Sequence, residues 1–436
     1  MNQLVFLTAF LGLTMGIQPV RLSVGGSVAA VEIRIDGQRV AQLDRAPWQA
    51  NVDFGSVLAP HRMVAIGRDR DGNEVARAEQ KVNLPRPASE ATLLFDNSRV
   101  RVHWNSVDGK PPAKVSLRVD DAPLPLDSAM SAELPKLSPG KAHFFEALIE
   151  SAAGETVEAT ALYGGASSEE NGVMTAVPVV FDGKPPRDTH SLDGAFDGRN
   201  IVAIDDPPAE VIVIRDPSEA EAAIRYGRPR GKSGYVDQIR GTYVPQTTIA
   251  TSDSWIGSNG TVRFLWPFAT RVSSGQAADL FPSSRPFDRS NGGFRSLLTS
   301  ISSPVTSPRL RYADAVSVAG LQALVKQRPR AVVLIIGTPF QDQSELTAKQ
   351  ARDFLASVGV PLFVWSLDEP RLRPKELDAW QPVIDISTEA KLQDAVRALR
   401  TSLEAQRIVW VAGDYLPREI ALTPKGSRMH LLAHAP

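Results

Sequence analysis

Residues 31–43 read VEIRIDGQRVAQL, and residues 115–126 read VSLRVDDAPLPL. In both stretches apolar and polar residues alternate until a turn, which begins at Asp36 in the first and at Asp120 in the second. Alternation with a period of two predicts a strand with one buried face, and Asp followed by Gly is typical of a hairpin turn. The sequence therefore predicts the same β-hairpin twice.

A second pair of matching blocks follows these hairpins. Residues 58–60 (LAP) precede a strand-like segment at 63–68, and residues 137–139 (LSP) precede one at 144–150. Two blocks repeated in the same order indicate a duplication. Short alternating strands with Gly and Pro turns, in units of about eighty residues, predict two Ig-like β-sandwiches, which we place at 1–85 and 86–165.

The bulk composition limits the function classes. The chain has 436 residues, which predicts several domains. Its 48 basic and 49 acidic residues give a formal net charge of −1, so no bulk charge attracts it to nucleic acid or to an anionic membrane. It contains no cysteine, which excludes disulfides and thiolate chemistry. We expect no nucleic-acid partner.

The N-terminus has two interpretations. Residues 4–15 read LVFLTAFLGLTM, an apolar run about as long as the core of a signal peptide, but no Lys or Arg precedes it. We favour a first β-strand at 4–6, with a signal peptide or N-terminal anchor as the alternative. No other segment is predicted to span a membrane. We expect an extracytoplasmic protein, periplasmic or secreted.

The sequence pattern changes after a linker and first strand at 166–198. Continuous apolar runs at 211–214, 262–266, 331–336 and 360–365 alternate with helical segments at 218–225, 312–326, 347–358 and 389–405. Fully apolar strands are typical of a parallel sheet covered on both faces. The pattern predicts an α/β doubly wound domain at 199–436, which ends in strands at 407–412 and 428–432. The predicted fold class is multidomain, two all-β Ig-like sandwiches followed by this domain.

The order of the α/β segments resembles a known family. RYADAV at 311–316, RPRAVVLIIG at 328–337, DQS at 342–344 and GVPLFVW at 359–365 follow one another with helices between them. This order is similar to von Willebrand factor A (VWA) domains, most of all to the VWA-related proteins of the Acidobacteria type, some of which carry N-terminal Ig-like domains. The resemblance covers residues 200–436 and implies a VWA-like fold that binds a protein partner.

The resemblance also implies a metal site. VWA domains bind Mg²⁺ through a D-x-S-x-S motif and further oxygen ligands, and Mg²⁺ prefers such ligands in octahedral geometry. Asp216 and Ser218 match the motif, Ala220 does not, and Asp342 follows a later strand. We therefore expect a degenerate metal-ion-dependent adhesion site and no cofactor, with Mg²⁺ held by Asp216, Ser218 and Asp342 as the alternative. Capping of a helix by Asp216 and Ser218 is the competing role.

Four aromatic residues lie in segments that carry no strand or helix pattern. Trp255 belongs to the stretch 251–260, and Phe281, Phe287 and Phe294 belong to 268–308. Long irregular insertions in α/β domains either pack on the domain or bind a partner. These four residues are the candidates for partner binding, with packing as the alternative.

Known catalytic motifs are missing from the sequence. It contains neither H-E-x-x-H nor G-x-S-x-G, and no catalytic residue can be assigned. We therefore predict a non-catalytic protein-binding or scaffolding protein that presents a VWA-like domain on Ig-like modules, with a partner protein of unknown identity. The alternatives are a structural subunit of an envelope or membrane-associated complex and an extracellular polymer hydrolase with accessory β domains.

Overall fold

The structure is a computed structural model. It describes residues 4–8, 10, 13–84, 89–96, 98–106, 111–120, 122–137, 143–150, 156–163, 174–183, 186, 189–215, 234–237, 242–245, 255–256, 260–270, 279–291, 293–294, 297–298, 301, 309–325, 327–337, 340–373, 375–426 and 428–432. Over these residues the protein is mostly β-sheet, divided among several units, with few helices.

The first sandwich contains seven strands. They are β1 (Leu4–Phe6), β2 (Ile17–Val24), β3 (Ala30–Ile35), β4 (Gln38–Leu43), β5 (Gln49–Asp53), β6 (His61–Arg68) and β7 (Glu74–Val82). One sheet has the order β1-β2-β5 and the other β4-β3-β6-β7. Alternate residues such as Val31, Ile33 and Met63 are fully buried between the sheets, as the period of two predicts. The strand predicted at residues 4–6 is present, and Leu4 lies in this core.

The second sandwich repeats this arrangement. Its strands are β8 (Ser89–Asp96), β9 (Arg99–Ser106), β10 (Lys114–Val119), β11 (Ala122–Leu124), β12 (Ser131–Glu133), β13 (His143–Glu150) and β14 (Thr156–Tyr163). The sheets have the orders β12-β9-β8 and β11-β10-β13-β14. The four-stranded sheets of the two sandwiches therefore share one order. The predicted β-sandwich character is confirmed.

The C-terminal unit contains the remaining strands and the helices. The strands are β15 (Met174–Phe181), β16 (Ile201–Asp205), β17 (Glu210–Arg215), β18 (Gly234–Asp237), β19 (Thr242–Pro245), β20 (Thr261–Leu265), β21 (Ala269–Thr270), β22 (Asp279–Leu280), β23 (Arg330–Ile336), β24 (Leu362–Ser366), β25 (Val383–Asp385), β26 (Gln406–Ala412) and β27 (Met429–Leu431). Among the described residues the α-helices are α1 (Tyr312–Ala323), α2 (Ala348–Ser357) and α3 (Glu389–Ala405). Short 3₁₀ helices occupy Thr189–Leu192, Arg289–Asn291, Pro370–Leu372, Lys375–Trp380, Pro417–Glu419 and Pro424–Gly426.

A five-stranded parallel sheet lies at the centre of this unit. Its order is β20-β17-β23-β24-β25, and every neighbouring pair is parallel. All residues of β17 and β23 are buried, as their continuous apolar sequence predicts. Helices α1 and α2 pack on one face of the sheet, and α3 packs on the other. The helices predicted at 312–326, 347–358 and 389–405 are confirmed, and the segment 218–225 lies outside the described residues.

A separate antiparallel sheet was not predicted. Strand β26 pairs with β15 and β16, and β15 pairs with β27. The sequence predicts strands in 166–198, at 407–412 and at 428–432, and strands are present there. Their pairing into one sheet was not predicted; their apolar faces enclose a small core of their own that includes Val179, Phe196 and Val409.

The helix termini follow known capping rules. Thr347 caps α2, and Gln350 completes a capping box with it. Thr388 caps α3. Where α1 and α2 touch, Gly320 lies so close to Leu355 that a Cβ atom would come within 2.6 Å of it. Within the described residues, no helix has the length and apolar character needed to cross a membrane.

Candidate functional site

The carboxyl edge of the parallel sheet is the first candidate site. Ligands of open α/β sheets bind at the edge where the strands end. Three strands end there on a polar residue, namely Arg215, Ser366 and Asp385. The loop that follows β23 adds Asp342 and Ser344 to the same edge.

Asp342 caps helix α1. One of its carboxylate oxygens accepts the backbone N–H of Tyr312 at 2.9 Å, and the other accepts that of Ala313 at 3.3 Å. The N–H and the hydroxyl of Ser344 also donate to Asp342, at 3.0 and 2.5 Å. The first N–H groups of a helix have no partner within the helix, so a carboxylate there stabilises the helix N-terminus.

Asp314 makes the reciprocal contact. It lies in the first turn of α1, and its carboxylate accepts the backbone N–H groups of Glu345 and Leu346 at 3.0 and 2.9 Å. Arg311 donates to the same carboxylate at 2.6 Å. Loop 342–346 caps the helix, and the helix holds the loop. We call this pair of contacts the reciprocal clamp.

Of the three predicted metal ligands, one, Asp342, lies among the described residues. Asp216 and Ser218 lie outside the described residues. Both carboxylate oxygens of Asp342 accept hydrogen bonds in the clamp. Its assignment as a ligand of Mg²⁺ stays a prediction. Among the described residues, no three His, Asp or Glu side chains are grouped as metal ligands.

A second polar cluster lies at the end of β25. Lys391 donates to Asp385 at 2.7 Å and to Ser387 at 3.3 Å, and the N–H of Ser387 donates to Asp385 at 2.9 Å. Burial acts to raise the pKa of Asp385, but the hydrogen bonds from Lys391 and Ser387 outweigh it and lower the pKa to about 2. Asp385 is therefore an ionised structural anchor for the start of α3.

The four aromatic residues predicted for partner binding are in the core. Trp255, Phe281, Phe287 and Phe294 are 4%, 5%, 8% and 0% exposed. Phe294 packs edge-on against Trp365, and Phe287 against Phe264. This corrects the partner-binding prediction: a ring buried against the sheet has no surface left for a partner. These four rings pack in the two cores on either face of the parallel sheet.

The second candidate site joins the first sandwich to the C-terminal unit. Asp36 lies in the β3–β4 turn with φ of +54°, and its carboxylate accepts His61 Nδ1 at 2.8 Å and the N–H of Arg62 at 2.9 Å. Arg418, from the loop after β26, forms an ion pair with the same carboxylate. We call Asp36 and His61 the first corner. Burial acts to raise the pKa of Asp36, but hydrogen bonds from Arg418, the Arg62 N–H and His61 outweigh burial and lower it.

Arg62 lies at the centre of this junction. Its guanidinium contacts Glu79 at 3.1 Å, donates to the carbonyl oxygen of Asp414 at 2.8 Å, and lies 3.6 Å from Glu419. Lys81 forms an ion pair with the side chain of Asp414. Two cations of the first sandwich therefore face two anions of the C-terminal loop.

The loop 413–419 is positioned by its own unit. Thr175 Oγ1 donates to the carbonyl of Gly413 at 2.7 Å and accepts the N–H of Tyr415 at 2.9 Å. Arg199 stacks on the Tyr415 ring at 3.9 Å and donates to the carbonyl of Glu419. The loop is therefore held in place from its own side as well as from the first sandwich.

The second sandwich repeats the corner. Asp120 has φ of +46° and accepts His143 Nδ1 at 2.6 Å. We call these two residues the second corner. The sequence pattern predicts turns at both Asp residues, and their histidine partners were not predicted. The signal was available: His61 and His143 each open the strand that follows the repeated Leu-x-Pro block.

Comparison with known proteins gives structural neighbours only. No family model and no curated protein matches the chain. Fibronectin(III)-like modules of Clostridium thermocellum CbhA match with 14% identity over 18% of this chain and 93% of theirs, at a TM-score of 0.17. The central fibronectin-III array of RIM-binding protein matches with 11% identity over 43% and 75%, at 0.20. The Bacteroides ovatus SGBP-B of a mixed-linkage glucan utilization locus, solved with a heptasaccharide, matches with 12% identity over 42% and 57%, at 0.15. At TM-scores this low, none of these likenesses carries a conclusion about the chain.

Proposed function

We propose that this chain is a non-catalytic protein-binding or scaffolding protein, in which two Ig-like β-sandwiches carry a VWA-like α/β unit. The observation that carries the proposal is the junction between the first sandwich and the C-terminal unit. Its ion pairs link Arg62 and Lys81 to the loop 413–419, and Leu58, 1% exposed, packs among the residues of α1, α2 and the parallel sheet. Such a junction fixes the orientation of a binding surface.

The VWA-like assignment is supported by the parallel sheet. Its five parallel strands lie between helices on both faces, as the resemblance implies for a doubly wound domain.

The non-catalytic assignment is supported by the carboxylates at the carboxyl edge. Asp314, Asp342 and Asp385 each accept hydrogen bonds from backbone N–H groups. These carboxylates therefore stabilise the backbone segments that they contact. Location outside the cytoplasm is part of the proposal, and cell fractionation tests it.

Capture of a partner is the first test. The tagged full chain is used to retrieve proteins from the native envelope fraction, beside the double variant Arg62→Ala/Lys81→Ala and the control Arg77→Ala, which removes an exposed cation elsewhere on the first sandwich. We expect one protein in stoichiometric amount with the natural chain and the control, and less with the double variant. Absence of any stoichiometric partner would contradict the binding function.

Two further measurements test whether the chain binds Mg²⁺ and whether it hydrolyses polysaccharides. Isothermal titration with Mg²⁺ is expected to give no saturable heat, and saturable binding that Asp342→Ala removes would contradict the degenerate-site assignment. Incubation with polysaccharides of the envelope or medium is expected to release no reducing ends. Release that persists in the purified chain would establish the hydrolase alternative instead.

A further inference from the structure

We propose that a cavity between helix α2 and strand β24 binds a small apolar carboxylate, a molecule with one ring or branched chain and one carboxylate group. The cavity lies on the face of the parallel sheet that α1 and α2 cover, beside strand β25. Its lining comes from residues 352–364 and 380–382. The site is therefore distinct from the junction with the first sandwich, and binding there does not depend on a protein partner.

The cavity forms where β25 covers only part of β24. The register pairs Val364 with Val383, the first residue of β25, so β24 begins two residues before its neighbour. In this parallel ladder a carbonyl of β24 accepts from the residue after its partner on β25. For Leu362 that position falls to Pro382, which has no N–H. Ala356 of α2 contributes only a methyl group, so space remains between the helix and the strand.

The floor of the cavity is apolar and buried. It consists of Leu355, Val360, Leu362, Val364 and Trp380, of which all but Leu362 are at most 3% exposed. The volume of the cavity is about 340 Å³. A closed apolar cavity of about 150 Å³ binds benzene, and ligand pockets typically begin near about 300 Å³. The cavity therefore has room for one ring with a short chain.

The mouth of the cavity carries one uncompensated cation. Arg352 and Asp353 are the charged residues of the lining. Asp353 pairs with Lys349 at 2.5 Å. Among the described residues Arg352 forms no ion pair, and its guanidinium donates to the carbonyl oxygen of Ala379 at 3.2 Å. A guanidinium has five N–H donors in a planar arrangement that matches a carboxylate, so Arg352 keeps donors for one.

The floor and the mouth together define the class of ligand. An apolar body gains free energy when it leaves water for the floor, while its charged group stays at the wet mouth. Gln381 is exposed there, and its side-chain carbonyl accepts the N–H of Val383 at 3.2 Å. Its NH₂ group is therefore a second donor beside Arg352. Two donors, one of them charged, favour a carboxylate over a neutral amide and exclude an ammonium group.

The experiment compares three probes that differ only in the polar group. Fluorinated phenylpropionate, its amide and the matching phenylpropylamine are titrated with the full chain, and fluorine NMR of the probe measures each Kd. We expect saturable binding of the carboxylate, at least about tenfold weaker binding of the amide, and weaker binding still of the amine. Equal affinity for the carboxylate and the amide, tighter binding of the amine, or no saturable binding of the carboxylate overturns the proposal.

Two variants locate the site. Arg352→Gln is expected to remove the preference for the carboxylate and to leave the affinity for the amide within about twofold, which a general loss of structure would not do. Arg397→Gln removes a 64%-exposed cation from α3, on the other face of the sheet, and is expected to change neither affinity. Ala356→Phe fills the cavity from a half-buried position and should abolish binding of both probes, with urea unfolding as the check that the chain is folded. A preference that survives Arg352→Gln, or binding that survives Ala356→Phe, places the ligand elsewhere and overturns the proposal.

Discussion

The two sandwiches share one strand order but differ in how they meet the C-terminal unit. Leu58 of the first packs among α1, α2 and the parallel sheet, whereas Leu137, its counterpart in the repeat, packs in the core of its own sandwich. The first contributes Arg62 and Lys81 to a network of ion pairs. In the second, Glu146 lies 3.9 Å from Arg328 of the C-terminal unit. The two sandwiches therefore share a strand order and differ in the residues that contact the C-terminal unit.

The largest expected effect separates the two leucines. Leu58→Ala removes a side chain that is 1% exposed and leaves a cavity, so we expect a loss of about 2–5 kcal/mol in the free energy of unfolding. Leu137→Ala removes a half-buried side chain and should cost about 1 kcal/mol. Hydrogen exchange should show lost protection in both the first sandwich and α1–α2 for Leu58→Ala. Loss confined to the first sandwich would contradict the shared core.

The next prediction concerns Arg62. Arg62→Ala leaves Asp414 and Glu419 without their central cation, and we expect a loss of about 1–3 kcal/mol, since the side chain is only 25% exposed. Urea unfolding at several salt concentrations measures the loss. Arg77→Ala removes a 54%-exposed partner of Glu74 and should change the free energy of unfolding by less than about 0.5 kcal/mol. Equal losses for Arg62→Ala and Arg77→Ala would mean that the junction stabilises the fold no more than an exposed ion pair does.

Acid should weaken the first corner. The pKa of Asp36 is lowered in the folded protein, so its stabilising contribution is complete above its unfolded pKa and is lost as pH falls through the folded pKa. We expect Asp36→Asn to be less stable than the natural chain at pH 7, with the gap closing below about pH 4. Denaturation curves from pH 7 to pH 2.5 measure this gap. A gap that widens on acidification would contradict the role of the carboxylate.

The sequence predicted those features that depend on local pattern. Alternation in residues 31–43 and 115–126 identified the repeated hairpin, and the continuous apolar run at 331–336 identified a buried parallel strand. The pairing of β15 with β26 could not be predicted, because the two segments are distant in sequence and either could have paired elsewhere. The same holds for the contact of Arg418 with Asp36, which depends on how separate units meet.

The aromatic residues show a different limit. Phe281 and Phe294 lie in segments without periodicity, so the sequence cannot tell a buried ring from an exposed one. The sequence offers Asp342 as a ligand of a degenerate metal site, whereas its contacts with the N–H groups of Tyr312 and Ala313 depend on where helix α1 begins. Residue type indicates that a carboxylate can bind hydrogen-bond donors or a cation. Only the structure shows which groups it contacts.

The smallest expected effect belongs to the second sandwich. Glu146 and Arg328 are 20% and 16% exposed, but 3.9 Å is long for an ion pair, so we expect Glu146→Gln to cost about 0.5 kcal/mol or less. Urea unfolding beside Arg62→Ala measures the contrast. A loss as large as that of Arg62→Ala would show that both sandwiches are anchored equally. A loss near zero would show that this ion pair does not anchor the second sandwich to the C-terminal unit.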